Sequence, residues 1–157
     1  MEPTIAPSAY EIERGKPMPS KNHAIVQRNL VFHLHLKYGD RYSVLPEINI
    51  DLPIQDRVPD LAIYRSVEFT PGADEVRMTE VPLGIIEILS PQQSMTDLMV
   101  KRGEYFAAGV QSYWLVLPDL LSIYVFYSAE DYDVFTRQDL LTDKKLEIEV
   151  ALGEIFR

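Results

Sequence analysis

Cysteine is absent from the 157 residues, which removes disulfides, thiolate nucleophiles and Cys-ligated zinc or iron–sulfur centres together. Any metal has to be held by oxygen or imidazole. Long apolar runs are missing as well. The densest, Ile85-Ile86 and Ile88-Leu89 on either side of Glu87, fall far short of the roughly 20 residues that cross a bilayer, so no membrane span is expected. The start, Met1 to Ile5, lacks the basic and apolar regions of a secretory signal, and a cytoplasmic location is the expectation. Neither a glycine-rich phosphate loop nor a Ser-His-Asp spacing occurs, which argues against nucleoside triphosphate and acyl-transfer chemistry.

Positive charge is scarce: 15 Lys and Arg face 24 Asp and Glu, for a net charge of −9. A general polyanion binder would show the reverse, because phosphate-backbone affinity comes mostly from Lys and Arg. The distribution is uneven. Residues 1–41 hold six Lys and Arg against four Asp and Glu, so the one basic excess is N-terminal and the acids accumulate after it. At 46% hydrophobic content the chain can bury one sizeable core, and a single domain over 1–157 is expected.

Tyr10 to Pro19 has a polar centre with a glycine and reads as a hairpin or arm occupying residues 1–19. Lys21 to Tyr38 carries apolar residues at helical spacing between a capping Ser20 and a terminating Gly39. Tyr42 to Leu52 and Val58 to Tyr64 are β-branched and aromatic, which predicts two strands, followed by a long polar loop from Ser66 to Glu80. Pro82 to Leu89 is apolar except for Glu87 and reads as a central strand covered on both faces. A helix then runs from a Thr96 cap to Gly109, with Gly103 as a weak point. Tyr113 to Leu117, Leu121 to Tyr127 and Tyr132 to Thr136 follow as strands. The order predicts an α/β fold: a mixed β-sheet flanked by helices.

Glu87 is the most informative residue. Alternation along a strand places it on one face with Ile85 and Leu89, and an ionised carboxylate there is costly unless a cation or strong donors face it. Asp60, in Val58-Pro59-Asp60-Leu61, heads a neighbouring strand. Were the two strands antiparallel, Asp60 and Glu87 would meet at one edge. With the backbone carbonyl of Ile88 they would form a hard oxygen site suited to Mg²⁺ or Mn²⁺. Lys101 is the nearest candidate to act on an attacking water, and Asp97, four residues earlier, shares its helix face. His23 and Glu47 are accessory candidates. His33 and His35, two apart, point in different directions on a helix and do not share a metal.

Val58-Pro59-Asp60-Leu61-Ala62, Ile86-Glu87-Ile88-Leu89-Ser90-Pro91, Asp97 to Arg102, Tyr105 and Ala108 to Val116, together with Tyr10 to Gly15 and Pro19 to Val26, resemble a large bacterial family of restriction endonucleases. That family is catalogued as a domain of unknown function in the PD-(D/E)xK nuclease superfamily, and the resemblance spans nearly the whole chain. It implies a restriction-endonuclease-like core, Asp60 and Glu87 as metal ligands, Mg²⁺ or Mn²⁺ as cofactor, DNA as partner and substrate, and a homodimer. The superfamily's usual lysine, two residues after the acidic residue, is Leu89 here. A lysine on the following helix replaces it in the family, which points to Lys101. The alternative to a metal-dependent DNA endonuclease is an inactive nuclease fold that binds nucleic acid or protein.

Overall fold

A computed structural model describes residues 6–157, with Arg14 described by its backbone alone; Met1 to Ile5, read above for a secretory signal, lie outside the described residues. The first element corrects the expected hairpin. Ala9–Arg14 is a short helix, α1. Ser8 and Glu11 form a reciprocal capping box at its start, and Gly15 ends it in the left-handed conformation at φ 73°, a conformation in which a side chain is strained. The glycine that suggested a hairpin turn is therefore a helix stop. Helix α2 (Lys21–Tyr38) is capped by the Ser20 hydroxyl, which accepts from the His23 N–H.

Strands β1 (Tyr42–Pro46), β2 (Leu61–Arg65) and β3 (Gly84–Ile88) precede helix α3 (Met95–Ala108). Strands β4 (Ser112–Leu117), β5 (Ser122–Phe126) and β6 (Tyr132–Thr136) follow. They form one six-stranded sheet in the order β1-β2-β3-β4-β5-β6. Only the β3–β4 pair is parallel, because α3 is the crossover between them, as a parallel connection requires. The expected first strand is cut to β1 at Pro46, and Glu47 beyond it has φ 55°. The cap of α3 lies two residues before the expected one: Ser94, rather than Thr96, accepts from the Asp97 N–H at 3.1 Å. Sequence reading missed a hairpin of β7 (Leu140–Asp143) and β8 (Ile148–Ala151).

Two apolar clusters enclose the sheet. On one face Ile86, Ile88, Trp114 and Val116 pack under Val26, Leu30 and Leu34 of α2, with Leu141, Ile148 and Val150 of the hairpin. On the other, Ala62, Tyr64, Ile85, Tyr113 and Leu115 pack with Leu98 and Tyr105 of α3. The hairpin is fastened by Asp143, fully buried, which accepts from the Ser112 hydroxyl, the Trp114 indole at 2.8 Å, and the N–H groups of Lys145 and Leu146 at 2.9 Å each. No described helix is long and apolar enough to cross a membrane.

Candidate active site

β2 and β3 are antiparallel, with Leu61 opposite Ile86 and Ala62 opposite Ile85. Carrying that register one residue outward sets Asp60 across from Glu87. Alternation puts Asp60 on the face of Ala62 and Tyr64, and Glu87 on the face of Ile85, which is the α3 face for both. The sheet thus brings the two carboxylates together, and each residue is only 1% exposed.

Their surroundings differ. Asp60 Oδ2 accepts from the Ile88 N–H at 2.7 Å, while Oδ1 takes the Lys16 ammonium at 2.7 Å and lies 3.1 Å from His23 Nε2. Burial works to raise its pKa, but the hydrogen bond from His23 and the charges of Lys16 and His23 overcome it and hold the carboxyl well below the usual range. Both oxygens of Glu87 are buried without a hydrogen-bond partner. Burial first, then the negative charge of Asp60, push Glu87 up to about 8, and the positive charges of Lys16 and Lys101 oppose that rise. A proton on Glu87 also gains a hydrogen bond to Asp60. Two adjacent carboxylates with such different environments separate into one that stays ionised and one that holds a proton, unless a cation is supplied.

Orphaned carboxylate oxygens are costly in an apolar core, and a hard divalent cation is a group that would satisfy them. Asp60, Glu87 and the Ile88 carbonyl could hold one. Among the described residues no group of three or more His, Cys, Asp or Glu is placed to hold a metal. A cation held here would take few ligands from the protein and keep waters, as Mg²⁺ does.

The other candidates fall at different distances from this pair. His23 is 3% exposed and bound to Asp60. Glu47 Oε2 is 3.5 Å from the Lys16 ammonium, and the Glu47 N–H donates to the Asp60 carbonyl at 3.2 Å. Lys101 and Asp97, on α3, line an open cleft of about 280 Å³ with Gly15, Lys16, Arg57 and Gln93. Lys101 thus acts on Glu87 through its charge from the cleft wall, and Asp97 is exposed beside it.

Sequence reading missed several contributors. Lys16 is buried although it follows a helix stop, and its signal was no more than the N-terminal excess of basic residues. Gln27, on α2, donates to the Asp60 carbonyl at 3.0 Å. Tyr105, on α3, has a buried hydroxyl with no hydrogen-bond partner, its pKa raised by burial and then by the charge of Glu87; in the sequence it entered among the residues that carry the family resemblance.

A mixed sheet flanked by helices, with two acidic residues facing each other at adjacent strand ends, defines a nuclease-like α/β fold. Residues 9–153 match the family Uma2, described as "Putative restriction endonuclease", and the chain belongs to that family. Among solved structures it is similar to a putative nuclease belonging to DUF820 from Anabaena variabilis ATCC 29413. The TM-score is 0.77 at 22% identity, covering 89% of this chain and 83% of the other. At that identity the likeness speaks for the fold. No curated protein matches the chain.

Proposed function

We propose that the protein is a metal-dependent endonuclease that hydrolyses phosphodiester bonds of DNA, with Mg²⁺ or Mn²⁺ held by Asp60, Glu87 and the Ile88 carbonyl. The observation that carries this reading is Glu87: a fully buried carboxylate with neither oxygen satisfied, across from an ionised Asp60. A bound divalent cation would supply Lewis acidity toward a phosphate oxygen and a lower pKa for water. The chain's own contribution is placement and charge. Ile88 and His23 orient Asp60 through its two oxygens. Glu87, once ionised, offers a second acceptor from the neighbouring strand. Lys101, on the cleft wall, offsets the negative charge that develops on the phosphoryl oxygens as water attacks and the leaving oxygen departs.

The cleft is where the backbone would lie. Lys101 supplies a cation there beside Asp97, Lys16 and Arg57 line the same cleft with their charges paired to Asp60 and Glu104, and Gln92 and Gln93 add neutral hydrogen-bonding groups. The test is calorimetric titration of Mn²⁺ and Mg²⁺ into the wild type and an Asp60→Ala/Glu87→Ala variant, with plasmid nicking measured on the same samples. Binding and nicking by the wild type, both lost in the variant, are expected. Nicking that survives Asp60→Ala would overturn the reading. Metal binding without nicking would favour a nuclease fold that binds nucleic acid without cutting it, a reading that Leu89 in place of the superfamily's lysine supports.

A further inference from the structure

Lys16 is a cation in the wrong place for a solvated lysine. Its residue is 8% exposed, its side chain 5%, and its ammonium lies 2.7 Å from Asp60 Oδ1 and 3.5 Å from Glu47 Oε2. It also acts on Glu87 through its charge. The ammonium therefore acts on Asp60, Glu47 and Glu87, and together with His23 and the Ile88 N–H it makes an ionised Asp60 tolerable in the core. Among the described residues that contact the Asp60 side chain, Lys16 alone also lines the cleft beside Lys101 and Arg57. It stands between the open cleft and the buried carboxylate.

A divalent cation on Asp60 and Glu87 would share that carboxylate with the ammonium at contact distance. Two like charges so close repel strongly where the effective dielectric is low, and a long lysine stem with rotatable bonds can yield. We propose that Lys16 is an internal competitor for the metal position: the ammonium neutralises Asp60 when no metal is bound, and metal binding expels it into the cleft. Lys16 thereby sets the metal affinity of the site. After expulsion its charge faces the cleft from the wall it already lines, next to Lys101. This inference rests on the metal-site reading given above.

The experiment compares Mn²⁺ binding by calorimetry in the wild type, Lys16→Met, Lys16→Arg and Asp60→Ala/Glu87→Ala. Removing the competitor should tighten Mn²⁺ binding by Lys16→Met at least about tenfold, the equivalent of about 1.4 kcal/mol, and Lys16→Arg should stay close to the wild type. Lys16→Met should also gain more thermal stability from Mn²⁺ than the wild type does, since its metal-free state leaves Asp60 without its cation. A second measurement needs no variant that could misfold. Acylation of Lys16 by an amine-reactive ester, read by mass spectrometry on the full chain, should be slow without metal and at least about tenfold faster with saturating Mn²⁺. Equal or weaker Mn²⁺ binding by Lys16→Met, or a Lys16 that stays protected while Mn²⁺ binds, would overturn the competition and leave the metal site standing. Mn²⁺ binding that persists unchanged in Asp60→Ala/Glu87→Ala, or no binding by any of the proteins, would overturn the site and the competition together.

Discussion

Arg57 and Glu104 form a two-pronged ion pair, with Arg57 Nε donating to Oε2 at 2.7 Å and the terminal NH2 to Oε1 at 2.9 Å. The pair joins the segment that leads into Asp60 to the middle of α3, the helix that carries Lys101. The side chains are 19% and 13% exposed, so solvent screens the pair less than it would at the open surface. It fixes the cleft wall relative to the strand end. A double-mutant cycle with Arg57→Ala and Glu104→Ala, read by urea denaturation, should give a coupling energy of about 1–2 kcal/mol. A value near zero would mean that the two elements are held by the apolar cluster alone.

The stability of the metal-free protein should depend on Glu87 in an unusual direction. Its pKa is pushed up to about 8, from an ordinary value near 4.5. Between those values the folded protein keeps a proton that the unfolded chain has released, so stability falls as pH rises across the window. Glu87→Gln has no such proton to lose. In the presence of a chelator the wild type should lose stability on the order of a few kcal/mol between pH 5 and pH 8, as followed by thermal or urea midpoints, and the Gln variant much less. Asp60 acts in the opposite sense. Its lowered pKa contributes stability above an ordinary value of 3.8 that is lost only on strong acidification, outside this window. Parallel pH profiles for wild type and Glu87→Gln would refute the assignment.

Glu87 was legible in the sequence because a lone charge in Gly84-Ile85-Ile86-Glu87-Ile88 violates the apolar pattern of a covered strand, and such violations mark sites. Asp60 became legible only through topology, since Pro-Asp alone reads as a turn; the antiparallel pairing of β2 with β3 turns it into Glu87's neighbour. Lys16 was not legible. Its partner lies 44 residues away, and a lysine after Gly15 has the local look of a solvated loop cation. α1 was misread because six residues are too few to show a helical period, whereas Ser8 and Glu11 hold the cap that forms it. The β7–β8 hairpin was hidden by Asp143, Lys144 and Lys145, which look polar in sequence although Asp143 is wholly buried.

Lys101 and the fold should separate cleanly. Among the described residues its ammonium makes no close ion pair or hydrogen bond, and it acts on Glu87 by charge from the cleft wall. Lys101→Ala should therefore leave the unfolding free energy within about 0.5 kcal/mol of the wild type while lowering the plasmid-nicking rate about 100-fold, the scale of losing one charge-stabilising group in a transition state. Lys101→Arg should recover part of the rate. A Lys101→Ala protein that nicks at the wild-type rate would remove Lys101 from the reaction and leave the cleft's other cations to account for it.

Asp143 should show the converse, a stability defect with the metal site intact. Its carboxylate accepts from Ser112 and Trp114 on β4 and from two backbone N–H groups in the turn of the β7–β8 hairpin. That arrangement closes the apolar cluster under α2. Asp143→Ala leaves these donors buried without acceptors, and each such loss costs about 1–3 kcal/mol. Partial rescue by water should bring the total to roughly 3–4 kcal/mol, measured as a lower urea midpoint with an unchanged slope. Mn²⁺ affinity measured well below the unfolding midpoint should stay the same, because Trp114 and Ser112 belong to the strand beyond Glu87 and Asp143 contacts neither carboxylate of the pair. A fall in affinity without a fall in stability would show that β4 transmits the state of the hairpin to Glu87, its neighbour across from Leu115.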